Sequence, residues 1–134
     1  MLTGLGLLVL EDDRDTRELF AASLTKLGAE VRSASTAEAA LAYLETWRPD
    51  AVLCDLHMPG VDGYSFLAQV QQLPALRGMP VIAISASHPD IERSRALEAG
   101  FAAHLTKPSK LSDIISAVTT LVQRERSRTA PCAS

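Results

Sequence analysis

Two cysteines among 134 residues are too few for a disulfide framework, and no CxxC spacing offers a thiolate metal site. Cys54 lies inside an apolar run and reads as a small core residue, while Cys132 falls in a polar tail. Long apolar runs are missing as well. The longest, such as LGLLVL at 5–10, are far short of the roughly 20 residues that span a bilayer, and no basic stretch leads into a signal-like core. The expectation is a cytoplasmic chain that makes no membrane contact of its own. Nor is there an excess of positive charge: the net charge is −3, without a polybasic segment, so direct nucleic-acid binding is not expected. Internal repeats and low-complexity tracts are absent. What remains, 47% hydrophobic and 22% charged residues, suits one domain with a real core. Its expected extent is 1–124, with 125–134 as a C-terminal tail or linker stub.

Short β-like runs alternate with amphipathic segments along the chain. LGLLVL (5–10) reads as a buried strand, and 16–27 sets Leu19, Phe20, Ser23, Leu24 and Leu27 on one helical stripe that Gly28 stops. A weakly alternating run, 29–35, precedes a helix capped by Ser35 or Thr36, with Ala37, Ala40, Leu41 and Leu44 inward and Tyr43 and Trp47 as rim packing. AVLCD (51–55) is the third strand, followed by the turn MPGVDG and by Phe66, Leu67 and Val70 at helical spacing. PVIAIS (80–85) and AAHLT (102–106) are the fourth and fifth strands. Between them, 89–100 is a helix with little apolar content beyond Ile91 and Leu97, so weak docking is expected. Leu111, Ile114, Ile115, Val118, Leu121 and Val122 form the clearest helical stripe. Beyond Arg124 the pattern is lost.

Five strands alternating with five helices argue for an α/β fold with a parallel sheet covered on both faces, because parallel neighbours need crossover connections. Ligands of such sheets gather at the carboxyl ends of the strands. Every strand but the second ends there in a polar or ionisable group: Glu11, Asp12 and Asp13, then Asp55, Ser85 and Lys107. A strand order of 2-1-3-4-5 would set Asp55 beside the acidic run. Like charges about 4 Å apart repel by roughly 4 kcal/mol at an effective dielectric near 20, so a cation is called for. Lys107 supplies one, and a hard dication bound through oxygens, Mg2+ above all, complements the rest. Ser85 can bond an oxygen of a tetrahedral anion that Lys107 neutralises, which suits phosphoryl transfer with Asp55 as nucleophile.

These residues resemble the receiver domain of two-component response regulators. The resemblance covers about 5–123 and rests on the acidic residues of LLVLEDDRDTR, the aspartate of DLHMPGVDGY, the hydroxyl in VIAISA and the lysine of HLTKP, with 30 residues from Asp55 to Ser85 and 52 to Lys107. It implies a flavodoxin-like (βα)5 sandwich with a five-stranded sheet ordered 2-1-3-4-5. It further implies a phosphorelay signalling module whose Asp55 becomes an aspartyl phosphate, with Mg2+ required and a histidine kinase or histidine phosphotransfer protein as donor. The family pattern makes Glu11 and Asp12 the metal pair, joined by Asp55 and the His57 backbone carbonyl. The alternative register uses Asp12 and Asp13, whereas Asp13 can otherwise cap the first helix. The bond from Lys107 to Pro108 is expected to be cis.

His104 stands where the family usually has tyrosine or phenylalanine, and it is kept, with Ser85, as a switch residue. The His57 side chain is expected to border the path of hydrolytic water; His88 reads as a solvated loop residue and Asp62 as turn chemistry. Ala102 and Ala103 replace acidic residues of a dimer face found in many DNA-binding regulators. A monomer or weak dimer is therefore expected, most like the receiver of a hybrid histidine kinase or a stand-alone relay protein. Activity beyond self-phosphorylation and self-dephosphorylation is not expected. The alternative, a Mg2+-dependent phosphatase with an aspartate nucleophile, would want a second acid where His57 stands.

Overall fold

The structure, a computed structural model, describes residues 2–58, 62–86, 89–107 and 110–129. His88, Pro108 with its peptide bond, and Cys132 lie outside the described residues. The strands are β1 (Gly6–Leu10), β2 (Glu30–Ala34), β3 (Ala51–Asp55), β4 (Val81–Ser85) and β5 (Ala103–Thr106). They alternate with α1 (Arg14–Lys26), α2 (Ala37–Leu44), α3 (Gly63–Gln71), α4 (Pro89–Ala99) and α5 (Leu111–Thr129), and a 3-10 turn covers Pro74–Leu76. All neighbouring strands pair in parallel in the order β2-β1-β3-β4-β5. This is the flavodoxin-like arrangement that the resemblance implied.

Side chains alternate across the sheet and so build two cores. Leu8 and Leu10 of β1, Val52 and Cys54 of β3, and Val81 and Ala83 of β4 face Ala40, Phe66 and Ala96 of α2, α3 and α4. Leu7 and Val9, Leu53, and Ile82 and Ile84 face Leu24 of α1 and Ile114, Val118 and Val122 of α5. Burial of both faces explains the near-continuous apolar runs of β1, β3 and β4.

Helix starts follow short polar caps, whose oxygens accept from backbone N–H groups left unpaired in the first turn. Asp13 accepts from the Thr16 N–H at 2.9 Å, Thr36 from Ala39 at 3.1 Å and Asp62 from Ser65 at 2.9 Å. Gly28 ends α1 with φ +103°, a conformation that favours a residue without Cβ.

Three local expectations differ from the structure, one of them at Leu111, which was assigned to the apolar stripe of α5 and is 38% exposed. Leu19, assigned to the inward stripe of α1, is 64% exposed, while Leu24 carries the fully buried position. The helical order expected to end after Arg124 continues through Thr129. Polar residues hold that last stretch: Arg48 lies 3.9 Å from Glu125 and Arg126 3.7 Å from Asp50.

Candidate functional site

Parallel register aligns the strand ends. Leu10 pairs with Cys54, Asp55 with Ile84 and Ser85 with Thr106, so Glu11, Asp55, Ser85 and Lys107 emerge along one edge. Backbone bonds fix the exits: the Glu11 N–H donates to the Ala34 carbonyl at 3.1 Å and the Lys107 N–H to the Ser85 carbonyl at 2.8 Å. The edge carries buried polarity, since Glu11, Asp55 and Ser85 are all buried.

Carboxylate oxygens of Glu11, Asp12 and Asp55 lie within 4.8 Å of one another, a donor set that suits a hard dication. The Lys107 ammonium donates to Glu11 Oε1 at 2.6 Å and to Asp55 Oδ2 at 3.3 Å. The other Asp55 oxygen accepts from the His57 N–H at 3.1 Å. Burial pushes the Glu11 carboxyl above its ordinary range, and the neighbouring Asp55 adds to this against the pull of Lys107. Burial by itself would lower the Lys107 ammonium, but its bond to Glu11 and the charges of both carboxylates outweigh it, so the net direction is upward. Each result is what a concentration of negative charge in a partly desolvated cleft produces.

Of the three consecutive acids, two turn inward to this cleft and one away. Asp13 caps α1, accepting from both the backbone N–H and the hydroxyl of Thr16, the latter at 2.6 Å, and these bonds hold its carboxyl below the usual range. Arg17 braces the loop by donating to the Glu11 carbonyl at 3.0 Å and the Asp12 carbonyl at 3.4 Å. Ser85 Oγ lies 2.8 Å from His104 Nε2, so the hydroxyl and the imidazole are engaged with each other. Burial lowers the His104 imidazole below its ordinary value, with Glu92 opposing the shift and Arg93 adding to it.

Gly63 is required by close approach. A Cβ there would lie 2.8 Å from the Asp55 carbonyl oxygen and 3.0 Å from Leu56 Cα, so α3 can pack against the end of β3 only without a side chain. Asp62 serves α3 as a cap, the turn chemistry expected of it.

Sequence reasoning missed Glu92. It is 5% exposed on α4, and its carboxylate reaches His57 Nε2 at 2.7 Å and the Tyr64 hydroxyl at 2.9 Å. The available signal was its spacing four residues before Ala96, the apolar residue of α4 that is buried. Glutamate in a charged helix ordinarily marks a solvated face, which concealed it.

Comparison with known proteins gives a consistent pattern. Residues 7–119 match the family described as the response regulator receiver domain. An uncharacterized 14.6 kDa protein from Leptolyngbya boryana is 37% identical over 87% of this chain and 89% of its own length. Hybrid signal transduction histidine kinase D of Dictyostelium discoideum is 30% identical over 92% of this chain, which spans only 8% of that kinase. Among solved structures, the receiver domain of sensor histidine kinase PA1611 from Pseudomonas aeruginosa PAO1 has a TM-score of 0.82 and 28% identity, covering 90% of this chain and 99% of that one. That structure holds a magnesium ion coordinated in its active-site cleft.

Proposed function

The chain belongs to the response regulator receiver domain family, and from that premise we propose that Asp55 is the residue that accepts a phosphoryl group. The observation that carries this is the placement of Asp55 between an acidic pair and an ammonium: its carboxylate shares a 4.8 Å cluster with Glu11 and Asp12 and lies 3.3 Å from Lys107 Nζ. An aspartate so placed sits where Lys107 and a bound cation can balance negative charge during attack on phosphorus.

In the forward step an Asp55 oxygen bonds to the phosphorus of a phosphohistidine. The P–N bond breaks with its electron pair passing to the donor imidazole, which takes up a proton. Lys107 holds the developing negative charge, and Ser85 leaves His104 to donate to a phosphoryl oxygen. Glu11, Asp12, Asp55 and the His57 backbone carbonyl are the groups assigned to Mg2+, which when bound neutralises phosphoryl oxygens. The commitment of Asp13 to its helix cap supports the Glu11 and Asp12 register. The donor is a histidine kinase or histidine phosphotransfer protein, and the domain acts as a relay within a hybrid kinase or as a stand-alone regulator.

His104 is the second moving part. Once Ser85 turns to the phosphoryl group, the imidazole loses its partner on β4 and rotates between inward and outward positions, altering the surface shared by α4, β5 and α5. The ester phosphatase alternative gains no support, since the position two residues beyond Asp55 is His57, whose ring is directed to Glu92.

Acetyl phosphate with Mg2+ tests the assignment. Intact-protein mass spectrometry is expected to show one added phosphoryl group on the wild type and none on Asp55→Asn. Equal loading of both proteins would remove Asp55 as the acceptor.

A further inference from the structure

Helix α4 is attached to the domain in an unusual way for a packed helix. Its two large aliphatic residues are exposed, Ile91 by 72% and Leu97 by 42%, and among the described residues it buries Ala96 and Glu92. Glutamate is rarely buried unless its oxygens are matched by donors. Both Glu92 oxygens are matched, each by a different element: Oε1 by the His57 imidazole from the loop after β3, and Oε2 by the Tyr64 hydroxyl from the first turn of α3. The Tyr64 hydroxyl donates to Glu92, and the His57 ring nitrogen lies within hydrogen-bond distance of its other oxygen.

Tyr64 is itself held from two further sides. The Arg95 guanidinium lies 4.7 Å from its ring centre, and Phe101 packs edge-on at 5.6 Å. Burial, followed by the bond to Glu92, pushes the phenol up to about 12, as expected beside a carboxylate acceptor. The network thus joins α4 to α3 and to a residue two positions from Asp55, with each contact directional.

We infer that Glu92 is a positioning residue for the aspartyl phosphate: it pins the imidazole of His57, whose backbone N–H donates to Asp55 Oδ1 at 3.1 Å, and makes the rate of phosphoryl loss depend on where α4 sits. This rests on the assignment of Asp55 as acceptor. Hydrolysis forms a bond from a water oxygen to phosphorus and breaks the bond from phosphorus to the Asp55 oxygen, whose electron pair returns to the carboxylate. The proton lost by the water passes to solvent. A pinned ring obstructs one side of that approach, whereas a ring freed by movement of α4 leaves it open.

The test combines two measurements on wild type, Glu92→Ala, Glu92→Gln, Tyr64→Phe, His57→Ala and the Glu92→Ala/His57→Ala double variant. Amide hydrogen exchange of the unphosphorylated proteins reads the attachment of α4. About tenfold faster exchange confined to α4 is expected for Glu92→Ala, with smaller effects for Tyr64→Phe and for Glu92→Gln, which keeps one acceptor. Phosphoryl lifetime after acetyl phosphate loading reads the positioning role. Glu92→Ala and His57→Ala are each expected to shorten it by about threefold or more, and the double variant no further than either, because the two residues act through one contact. Unchanged α4 exchange in both Glu92→Ala and Tyr64→Phe would overturn the latch. An unchanged lifetime in Glu92→Ala, or effects that multiply in the double variant, would overturn the positioning role. Failure of the wild type to load would strike the Asp55 assignment, leaving the exchange measurement to decide the latch.

Discussion

Helices α4 and α5 both contact the edge strand β5 but are attached to the domain by opposite means. On one face of the sheet, α5 buries Ile114, Val118 and Val122 in a continuous apolar seam. On the other, α4 exposes Ile91 and Leu97 and sets a buried carboxylate between a histidine and a tyrosine. Apolar burial is non-directional and is lost only by exposing surface to water. Hydrogen bonds exchange with water at small net cost, so an element held mainly by them can move while the core stays intact. This difference sets α5 in the scaffold and is the ground for the proposal that α4 is the part of the domain that moves.

The largest expected effect breaks the scaffold side. Ile114→Ala should cost about 2–5 kcal/mol in denaturant unfolding through the lost apolar transfer and the cavity left behind. Ile91→Ala, on the exposed side of α4, should change stability by no more than about 0.5 kcal/mol. Similar losses from both substitutions would abolish the distinction.

A smaller effect is expected where α3 meets the site. Gly63→Ala places a Cβ 2.8 Å from the Asp55 carbonyl oxygen, so α3 must shift or the loop after β3 must move. The expected cost is about 1–3 kcal/mol, together with slower loading by acetyl phosphate. Unfolding and loading identical to wild type would show that the close approach does not constrain the acceptor loop.

The smallest effect is a pH dependence at His104. Burial lowers this imidazole in the folded protein, so the unfolded chain binds the proton more readily. The resulting stability is fully present above the ordinary histidine value near 6.5 and is lost as pH falls below it toward the depressed folded value. Unfolding midpoints followed from pH 7.5 downward should therefore decline less steeply in His104→Phe than in wild type. A steeper decline in the variant would contradict the sign.

Much of the architecture was legible because it depends on periodicity. The apolar runs at 5–10, 51–55 and 80–85 admit few readings besides buried strands, and the stripe from Ile114 to Val122 admits little besides a docked helix. The candidate site was legible because parallel strands that end in Glu11, Asp55, Ser85 and Lys107 must bring those residues to one edge. Leu19 was misplaced because helical spacing allowed a broad stripe, and only packing against β1 and β2 selected Leu24. The continuation of α5 was concealed because Glu125 and Arg126 are held by ion pairs to distant residues, which carry no helical period. Glu92 went unnoticed for a related reason: its partners, His57 and Tyr64, lie 35 and 28 residues away.

By itself, then, the order of residues determined the strands, the helices, their alternation and the list of groups at the carboxyl edge, since local spacing and crossover geometry leave little freedom in these. Only the tertiary structure decided which acid of EDD turns away, that His104 meets Ser85, and that α4 is fastened by a buried carboxylate. Those outcomes depend on contacts between side chains far apart in the chain, where a separation of an ångström distinguishes a hydrogen bond from none.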